Sequence, residues 1–304
     1  MKLSVEFLKS NPVLTTKFVN ASVDSRHEFF QKLKNIASQD LSLAHSTFKV
    51  SSCRTILTLS DQEKFQQLAD TNFISGFSVH KSFDTAYVDN NNSIVGIKHW
   101  VTNLEQAEFG IIQLKDALDE VKLFFVDFPP SSENSSFTKN FSFFRHPGLA
   151  DTRTGDIDFN FHPAELIFSK SDLRYFVSNN HNSLCFITNY LGGISGLLDN
   201  LESTTSSIYR STYKNLCNLL DREIDASKNV INNDKFWHTR NALYLDSKNL
   251  MVEICKHIIS NYAGNFYNLN CSQGQHFFDC LIYSGHNGPV TRSYQQLFTE
   301  PQDY

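Results

Sequence analysis

The stretch GIKHWVTN at residues 96–103 stands at the end of a predicted β-strand. Its Trp100 is one of only two tryptophans in the chain, and the hydroxyl of Thr102 follows two residues later. Taken alone, such a tryptophan usually packs in a core, with the threonine in a turn. The other interpretation is that both residues form the edge of a binding site, and the surrounding sequence has to decide between the two.

The sequence around this stretch predicts a β-rich region between residues 73 and 168. Its short runs are rich in β-branched and aromatic residues, and Asn, Asp, Ser and Pro clusters separate them. The segment YVDNNNSIVG (87–96) predicts a hairpin, because Asn and Asp tolerate left-handed turn conformations. The five predicted strands are FISGFSV (73–79), SIVGIKHWV (93–101), FGIIQL (109–114), VKLFFVDF (121–128) and TGDIDFNF (154–161).

Segments with helical periodicity precede and follow the β-rich region. Phe29, Leu33 and Ile36 lie at helical spacing, and Asp61 is the predicted N-cap of a short helix that follows it. YLGGISGLL (190–198) places three glycines inside a helical pattern, which predicts the close approach of another helix or, less often, a ligand. Two later helices carry apolar stripes: Tyr209, Tyr213, Leu216, Leu220 and Ile224 in one, and Leu243, Leu250, Ile254 and Ile258 in the other.

The order of elements predicts an α+β protein of three domains. They are a shortened helical N-terminal domain (1–72), a small β-barrel-like domain (73–168) and a C-terminal helical bundle (169–304). A doubly wound parallel sheet is not expected, because that fold needs strands and helices in alternation.

Composition narrows the classes of partner. The net charge of −5 and the isoelectric point near 6.1 give no reason to expect nucleic acid or an anionic membrane as a ligand. No window approaches the roughly 18–20 apolar residues of a membrane span, and no signal peptide is recognisable, so we expect a cytoplasmic protein. The six cysteines are scattered without a C-x-x-C pair, which predicts reduced thiols, and no metal site is predicted.

Four stretches, in this order along the chain, resemble the acyl-CoA dehydrogenase superfamily. They are SQDLSLAHSTFKVS (38–51), GFSV (76–79), VGIKHWVTN (95–103) and GLADTRTGDIDFNFHPAELIF (148–168), and the third is similar to the family pattern nGtKxWITN. The resemblance implies a helical domain, a small β-domain and a four-helix bundle, with flavin adenine dinucleotide (FAD) between the last two.

The resemblance also implies a flavin site made by two strand ends. Phe77, Ser78 and Val79 match the strand that leads to the flavin, and Trp100, Val101 and Thr102 match the step that contacts it. An isoalloxazine ring needs a flat apolar face against it and hydrogen-bond donors at its edge, which tune its electronics. Trp100 suits the face and the Thr102 hydroxyl suits the edge, whereas Lys98 is expected to have a structural role.

The chain departs from the family at the position of the catalytic base. DCLIYSGHNG (279–288) falls in register with the segment that carries the family's glutamate, and it places Asn287 at that position. An asparagine amide cannot accept a proton at neutral pH, so Asn287 is not expected to be a base. The earlier helix that carries the base in some relatives offers only Asp172 and His181 here, and His181 is expected to be a surface or capping residue.

The flavin-binding loop of the family is also changed. GFSV continues into HKSFDTAYVDNNN (80–92), which is much shorter and begins with His80 and Lys81 where Thr and Glu are expected. The family's RxxFG and GGxGY segments, which contact the cofactor across a subunit interface, have no counterpart.

These observations leave three hypotheses. The first is a flavin-dependent oxidoreductase with non-standard chemistry, acting on an acyl thioester of coenzyme A or a carrier protein, or on a small biosynthetic intermediate. The second is a non-catalytic or half-site subunit that forms a homo- or hetero-oligomer with a related chain. The third discards the resemblance and describes a helical binding module with a small β insert.

Overall fold

The computed structural model describes residues 3–129, 136–141, 149–227, 234–262, 266, 268 and 271–284, with only the backbone at 150 and 234–237. Asn287, at the position of the expected base, lies outside the described residues. Four helices come first: α1 (Val5–Ser10), α2 (Val23–Ala37), α3 (Leu41–Leu59) and α4 (Glu63–Leu68). Eight strands follow, and then α5 (Leu173–Asp199), α6 (Ser203–Ala226), α7 (Asp234–Asn261) and α8 (Ser272–Ser284). The predicted α+β class is therefore confirmed, while the three domain boundaries stay a prediction.

The strands form one mixed sheet. They are β1 (Ser75–Ser78), β2 (Tyr87–Val88), β3 (Ser93–Val101), β4 (Phe109–Lys115), β5 (Val121–Asp127), β6 (Phe137–Asn140), β7 (Gly155–Pro163) and β8 (Glu165–Ser169). The order is β6-β7-β3-β2-β4-β5-β8, with β1 parallel to β4. The β2–β3 hairpin is confirmed: the Asp89 carboxylate accepts the amides of Asn91 and Ser93, and Asn92 has a φ of 57°.

Helix α3 lies at the centre of the molecule. Every residue from Leu41 to Leu57 is buried, as expected for a helix that is enclosed on all sides. It packs against α2, α5, α8 and strand β1. One core fills the space among the helices, a second joins α3 and α4 to the sheet, and a third covers the opposite face of the sheet.

The glycines of α5 allow a close helix crossing, as the sequence predicted. A Cβ at Gly192 would lie 2.6 Å from the Lys34 carbonyl oxygen and collide with the Ala37 side chain, both on α2. A Cβ at Gly193 would lie 2.7 Å from the Met251 methyl on α7. Both glycines therefore serve packing between helices.

The helix N-termini show one correction. Ser22 caps α2 and Asp40 caps α3, each accepting a backbone N–H with its side chain. The prediction that Asp61 caps α4 is wrong, because the helix begins after Gln62 and Asp61 instead forms an ion pair with Arg174. The Asp61 carboxylate therefore pairs with a cation on α5 and does not accept a backbone N–H of α4.

Among the described residues, no helix is both long and apolar enough to cross a membrane. Four of the six cysteines (Cys53, Cys185, Cys255, Cys280) are buried and all six are free thiols, as the sequence predicted.

Candidate functional site

The ends of β1 and β3 meet, and they bring the six predicted site residues together. Phe77 and Thr102 form a bridge in which each amide donates to the other's carbonyl, at 3.2 and 3.0 Å. The Ser78 hydroxyl donates to the His99 carbonyl at 3.0 Å, and the Val79 carbonyl accepts from Lys98 at 2.8 Å. We call this junction, residues 77–79 and 100–102, the strand-end rim.

Trp100 projects outward from the rim in a conformation that the fold enforces. Its φ is 57°, in the left-handed region that a bulky residue rarely adopts, and 47% of its side chain is exposed. Asp156 on β7 fixes it, because one carboxylate oxygen accepts the Trp100 amide at 3.0 Å and the other lies 2.9 Å from His99 Nδ1. The indole is therefore held at the surface and not drawn into the core.

Two side chains of the loop that follows β1 lie against the indole. The Phe83 ring is 5.3 Å from it in an edge-to-face arrangement and is 48% exposed. The Lys81 ammonium lies 5.3 Å from the centre of the Trp100 ring, within range of a cation–π interaction. Trp100, Phe83 and Lys81 form an accessible aromatic surface with a positive charge at one side.

Asp84 fastens the shortened loop to β3. Its fully buried carboxylate forms an ion pair with Lys98 and accepts the amides of Lys81 at 2.6 Å and His99 at 3.0 Å. Burial lowers the pKa of Lys98 to about 8, although the neighbouring Asp84 charge acts in the opposite direction. The expected structural role of Lys98 is confirmed, and the loop needs few residues because a single carboxylate anchors it.

The rim residues differ in what they offer to a ligand. The Phe77 and Val101 side chains are buried, and Thr102 is only 7% exposed. Within the described part of the chain the Thr102 hydroxyl has no hydrogen-bond partner, although both its backbone groups are bonded. Contact through a side chain is thus available at Trp100, Val79 and the edge of Thr102, and the ligand role of all six stays a prediction.

Neither alternative base on α5 is suited to proton abstraction. Asp172 caps the helix and bonds Arg174, and the hydrogen bonds from Arg174 lower the pKa of its carboxyl. His181 is not the surface or capping residue that the sequence predicted: it is fully buried against Phe18, 2.9 Å from the Ser51 hydroxyl. Burial, with the nearby Arg26 charge, lowers the pKa of His181 to about 3, so the imidazole is neutral.

One residue that the sequence did not single out lies next to the rim. The Lys49 ammonium on α3 is 4.7 Å from the centre of the Phe77 ring, with only 6% of the residue exposed. A small cavity of about 20 Å³ also borders Phe77 and Val79, and its polar lining includes Ser52, Asn182 and Gln113. The available signal was a lysine in the middle of a helix made mostly of small and apolar residues.

No family model and no curated protein sequence matches the chain. Solved structures do match it, and butyryl-CoA dehydrogenase from Megasphaera elsdenii superimposes with a TM-score of 0.73 at 12% identity, covering 92% of this chain and 83% of that one. The chain has the acyl-CoA dehydrogenase fold. Two other structures with this similarity are KijD3 in complex with FMN and a dTDP-linked sugar (TM-score 0.68, 12% identity, 99% and 94% coverage) and dibenzothiophene monooxygenase TdsC from Paenibacillus sp. A11-2 (0.67, 13%, 88% and 81%).

The resemblance inferred from the four sequence stretches is confirmed at the level of the acyl-CoA dehydrogenase fold. In this fold the strand-end rim is built from two of those stretches, 76–79 and 95–103. At 10–13% identity, the structural similarity shows the fold alone. The chemistry has to be argued from the residues of the site.

Proposed function

We propose that the protein is a flavin-dependent oxidoreductase with non-standard chemistry, and that the flavin contacts Trp100. The observation that carries this proposal is the exposed indole, held at a φ of 57° by a carboxylate on another strand. Residues held in sparsely populated backbone conformations concentrate at functional sites, where the surrounding fold maintains them.

The residues of the rim fit a flavin in three respects. Trp100 offers a flat apolar face, the Thr102 hydroxyl is uncommitted within the described residues, and Lys81 adds a positive charge beside the ring. When bound, a flavin accepts a hydride from a substrate, or in its reduced form activates oxygen. Trp100 would bind and orient the ring, Thr102 would donate to its edge, and Asp84 would keep the loop in place.

The cofactor expected from the resemblance is FAD, and the neighbours leave FMN as the alternative. The structures of KijD3 and TdsC that resemble this chain include complexes with FMN. Both flavins carry the same isoalloxazine ring, so Trp100 and Thr102 would serve either one. The test below therefore uses both.

The substrate we propose is a small biosynthetic intermediate in preference to a long acyl thioester. The cavity that borders the rim has room for little more than a water molecule, and its lining mixes hydroxyl and amide groups such as Ser52 and Asn182 with apolar side chains such as Leu123. A long acyl chain needs a tunnel far larger than this cavity. In agreement, neither Asp172 nor His181 is suited to remove a proton α to a thioester carbonyl.

The same small cavity favours a second candidate, the non-catalytic or half-site subunit. In that case a related chain would supply the base and part of the cofactor site. Purification together with a second, longer homologue would support this candidate, particularly if the isolated chain is colourless.

Flavin retention during gel filtration tests the proposal. The full chain, incubated with excess FAD or FMN, is expected to co-elute with the visible absorbance of one of them, and Trp100→Ala to lose it. Phe161→Ala is the matched control, because Phe161 is also an exposed aromatic residue with a positive φ, on β7. Colourless wild-type protein after both incubations would reject the flavin proposal. With flavin bound, we expect no bleaching by acyl-CoA under anaerobic conditions.

A further inference from the structure

A β-bulge at the end of β3 brings His99 to the surface next to Trp100. The register between β3 and β7 shifts between Lys98 and Val101, so His99 and Trp100 both lie opposite the single residue Asp156. Consecutive side chains of a regular strand point to opposite faces, and a bulge redirects one of them. Lys98 and Val101 are buried here, whereas the side chain of His99 is 27% exposed beside the exposed indole.

Asp156 determines which nitrogen of His99 is available. One of its carboxylate oxygens accepts the Trp100 amide at 3.0 Å, and the other lies 2.9 Å from His99 Nδ1. Because a carboxylate only accepts hydrogen bonds, the proton of the neutral imidazole has to be on Nδ1. Nε2 then carries the lone pair, and no group within the described residues forms a hydrogen bond with it. The pair therefore presents a proton acceptor at the surface.

The imidazole borders the aromatic surface formed by Trp100, Phe83 and Lys81. The centre of the exposed Phe83 ring lies 5.3 Å from that of His99 and 5.3 Å from that of Trp100. A molecule bound on this surface therefore comes close to the His99 side chain.

The other histidine near the strand-end rim is less suited to accept a proton. His80 Nδ1 lies 3.7 Å from the Asp84 carboxylate, beyond hydrogen-bond distance, and that carboxylate is paired with Lys98. Burial, followed by the Lys98 charge, lowers the pKa of His80. The carboxylate-oriented imidazole beside the indole is that of His99.

We propose that His99, oriented by Asp156, is the acid–base residue of the site and takes a proton from a hydroxyl or amino group of the substrate. The O–H or N–H bond breaks, its electron pair stays on the oxygen or nitrogen, and the proton binds Nε2. Asp156 stabilises the imidazolium that forms. An alcohol or amine loses this proton when a flavin accepts a hydride from the carbon that bears the group. The inference rests on the proposed function and narrows the substrate to an alcohol or an amine.

Nitrogen NMR of the full chain labelled with ¹⁵N-histidine tests the orientation of His99 without any flavin. At about pH 9, where an ordinary imidazole is neutral, long-range proton–nitrogen spectra distinguish the two tautomers. His99→Gln identifies the His99 signals by their loss. We expect the Nδ1–H tautomer in the wild type and the Nε2–H tautomer in Asp156→Asn. The asparagine amide can donate to Nδ1, while its oxygen still accepts the Trp100 amide.

His27 on α2 is the matched control. Its side chain is 34% exposed and also lies 2.9 Å from a carboxylate, that of Asp225, but the bond is made by Nε2. His27 should therefore have the Nε2–H tautomer, in the wild type and in Asp156→Asn alike.

Bleaching of the flavin-loaded chain under anaerobic conditions tests the proton transfer. The probes are small alcohols and amines, from ethanol and ethylamine to benzyl alcohol and benzylamine. We expect at least one of them to bleach the wild type. His99→Gln should keep its flavin and be bleached about a hundredfold more slowly, in the usual range for the loss of an acid–base residue. His27→Gln should be bleached at the wild-type rate.

Three results would overturn this inference alone, with flavin bound: the Nε2–H tautomer at His99 of the wild type, no bleaching by any probe, or equally fast bleaching of His99→Gln. Colourless wild-type protein would instead reject the proposed function, and this role with it. Should Asp156→Asn fail to fold, the wild-type tautomer and His99→Gln still decide.

Discussion

Replacing Asp84 with asparagine probes how one carboxylate holds the shortened loop on the sheet. The change removes the negative charge beside Lys98 and keeps an oxygen that can accept the His99 amide at a similar position. Both members of the ion pair are fully buried. Lys98 would then be a buried ammonium whose nearest remaining acceptor is the Val79 carbonyl.

The expected loss of stability follows from the burial of the Asp84–Lys98 ion pair. Breaking a buried ion pair by removing one partner destabilises a protein by about 3–5 kcal/mol, chiefly because the other charge stays buried. We therefore expect Asp84→Asn to lower the free energy of unfolding by about that amount. The double variant Asp84→Asn with Lys98→Met should recover part of the loss, because it also removes the stranded charge.

Urea denaturation followed by circular dichroism measures both effects. Glu165→Gln supplies the control, because its ion pair with Lys64 is about half exposed and should contribute at most about 1 kcal/mol. A loss of less than about 1 kcal/mol for Asp84→Asn, or a double variant less stable than the single one, would refute the role assigned to Asp84.

Three further predictions concern other parts of the molecule. Folded Lys49 releases its proton near pH 7 and unfolded lysine near 10.5, so between these values Lys49 alone should raise the free energy of unfolding by about 1.4 kcal/mol per pH unit. Urea denaturation at about pH 8 and about pH 9.5 should therefore show a slope that is steeper by this amount in the wild type than in Lys49→Met, and equal slopes would contradict it. Gly192→Ala should destabilise the chain by about 1–3 kcal/mol in thermal denaturation, because the new methyl group meets the Lys34 carbonyl at 2.6 Å, and a stabilised variant would contradict the close crossing. Thr102→Val should weaken flavin binding about fivefold in a titration, the value of one neutral hydrogen bond, whereas Thr102→Ser should not.

Much of the sheet was predictable from the sequence, because its strands have strong local patterns. The five predicted strands all occur, and SIVGIKHWV has the predicted bounds. Strands β6 and β8 were missed. The first has only four residues, two of them a lysine and an asparagine, and the second starts two residues after Pro163, so neither carries a clear alternation of its own.

The helical core was harder to predict wherever polar residues are buried. The run SNNHNS at 178–183 has the composition of an exposed segment, yet every residue in it is buried. Its side chains find partners on distant elements: His181 meets Ser51, and Asn180 accepts from Arg240 at 2.7 Å. Contacts between residues this far apart in the chain leave no trace in local periodicity.

The candidate site likewise contains residues that the sequence predicted and residues that it did not. Trp100 and Thr102 were found because a short contiguous motif carries them. The sequence did not reveal Asp84 and Asp156, which support that motif, or the buried Lys49. Their roles depend on contacts between elements that only the fold brings together.

The most direct test of the central claim is the fluorescence of Trp100 during a flavin titration. In a Trp237→Phe variant Trp100 is the sole tryptophan, so its emission reports on the strand-end rim alone. We predict that FAD or FMN quenches most of this emission and saturates at one flavin per chain. Emission from Trp100 that stays unchanged while either flavin is added to excess would contradict the account.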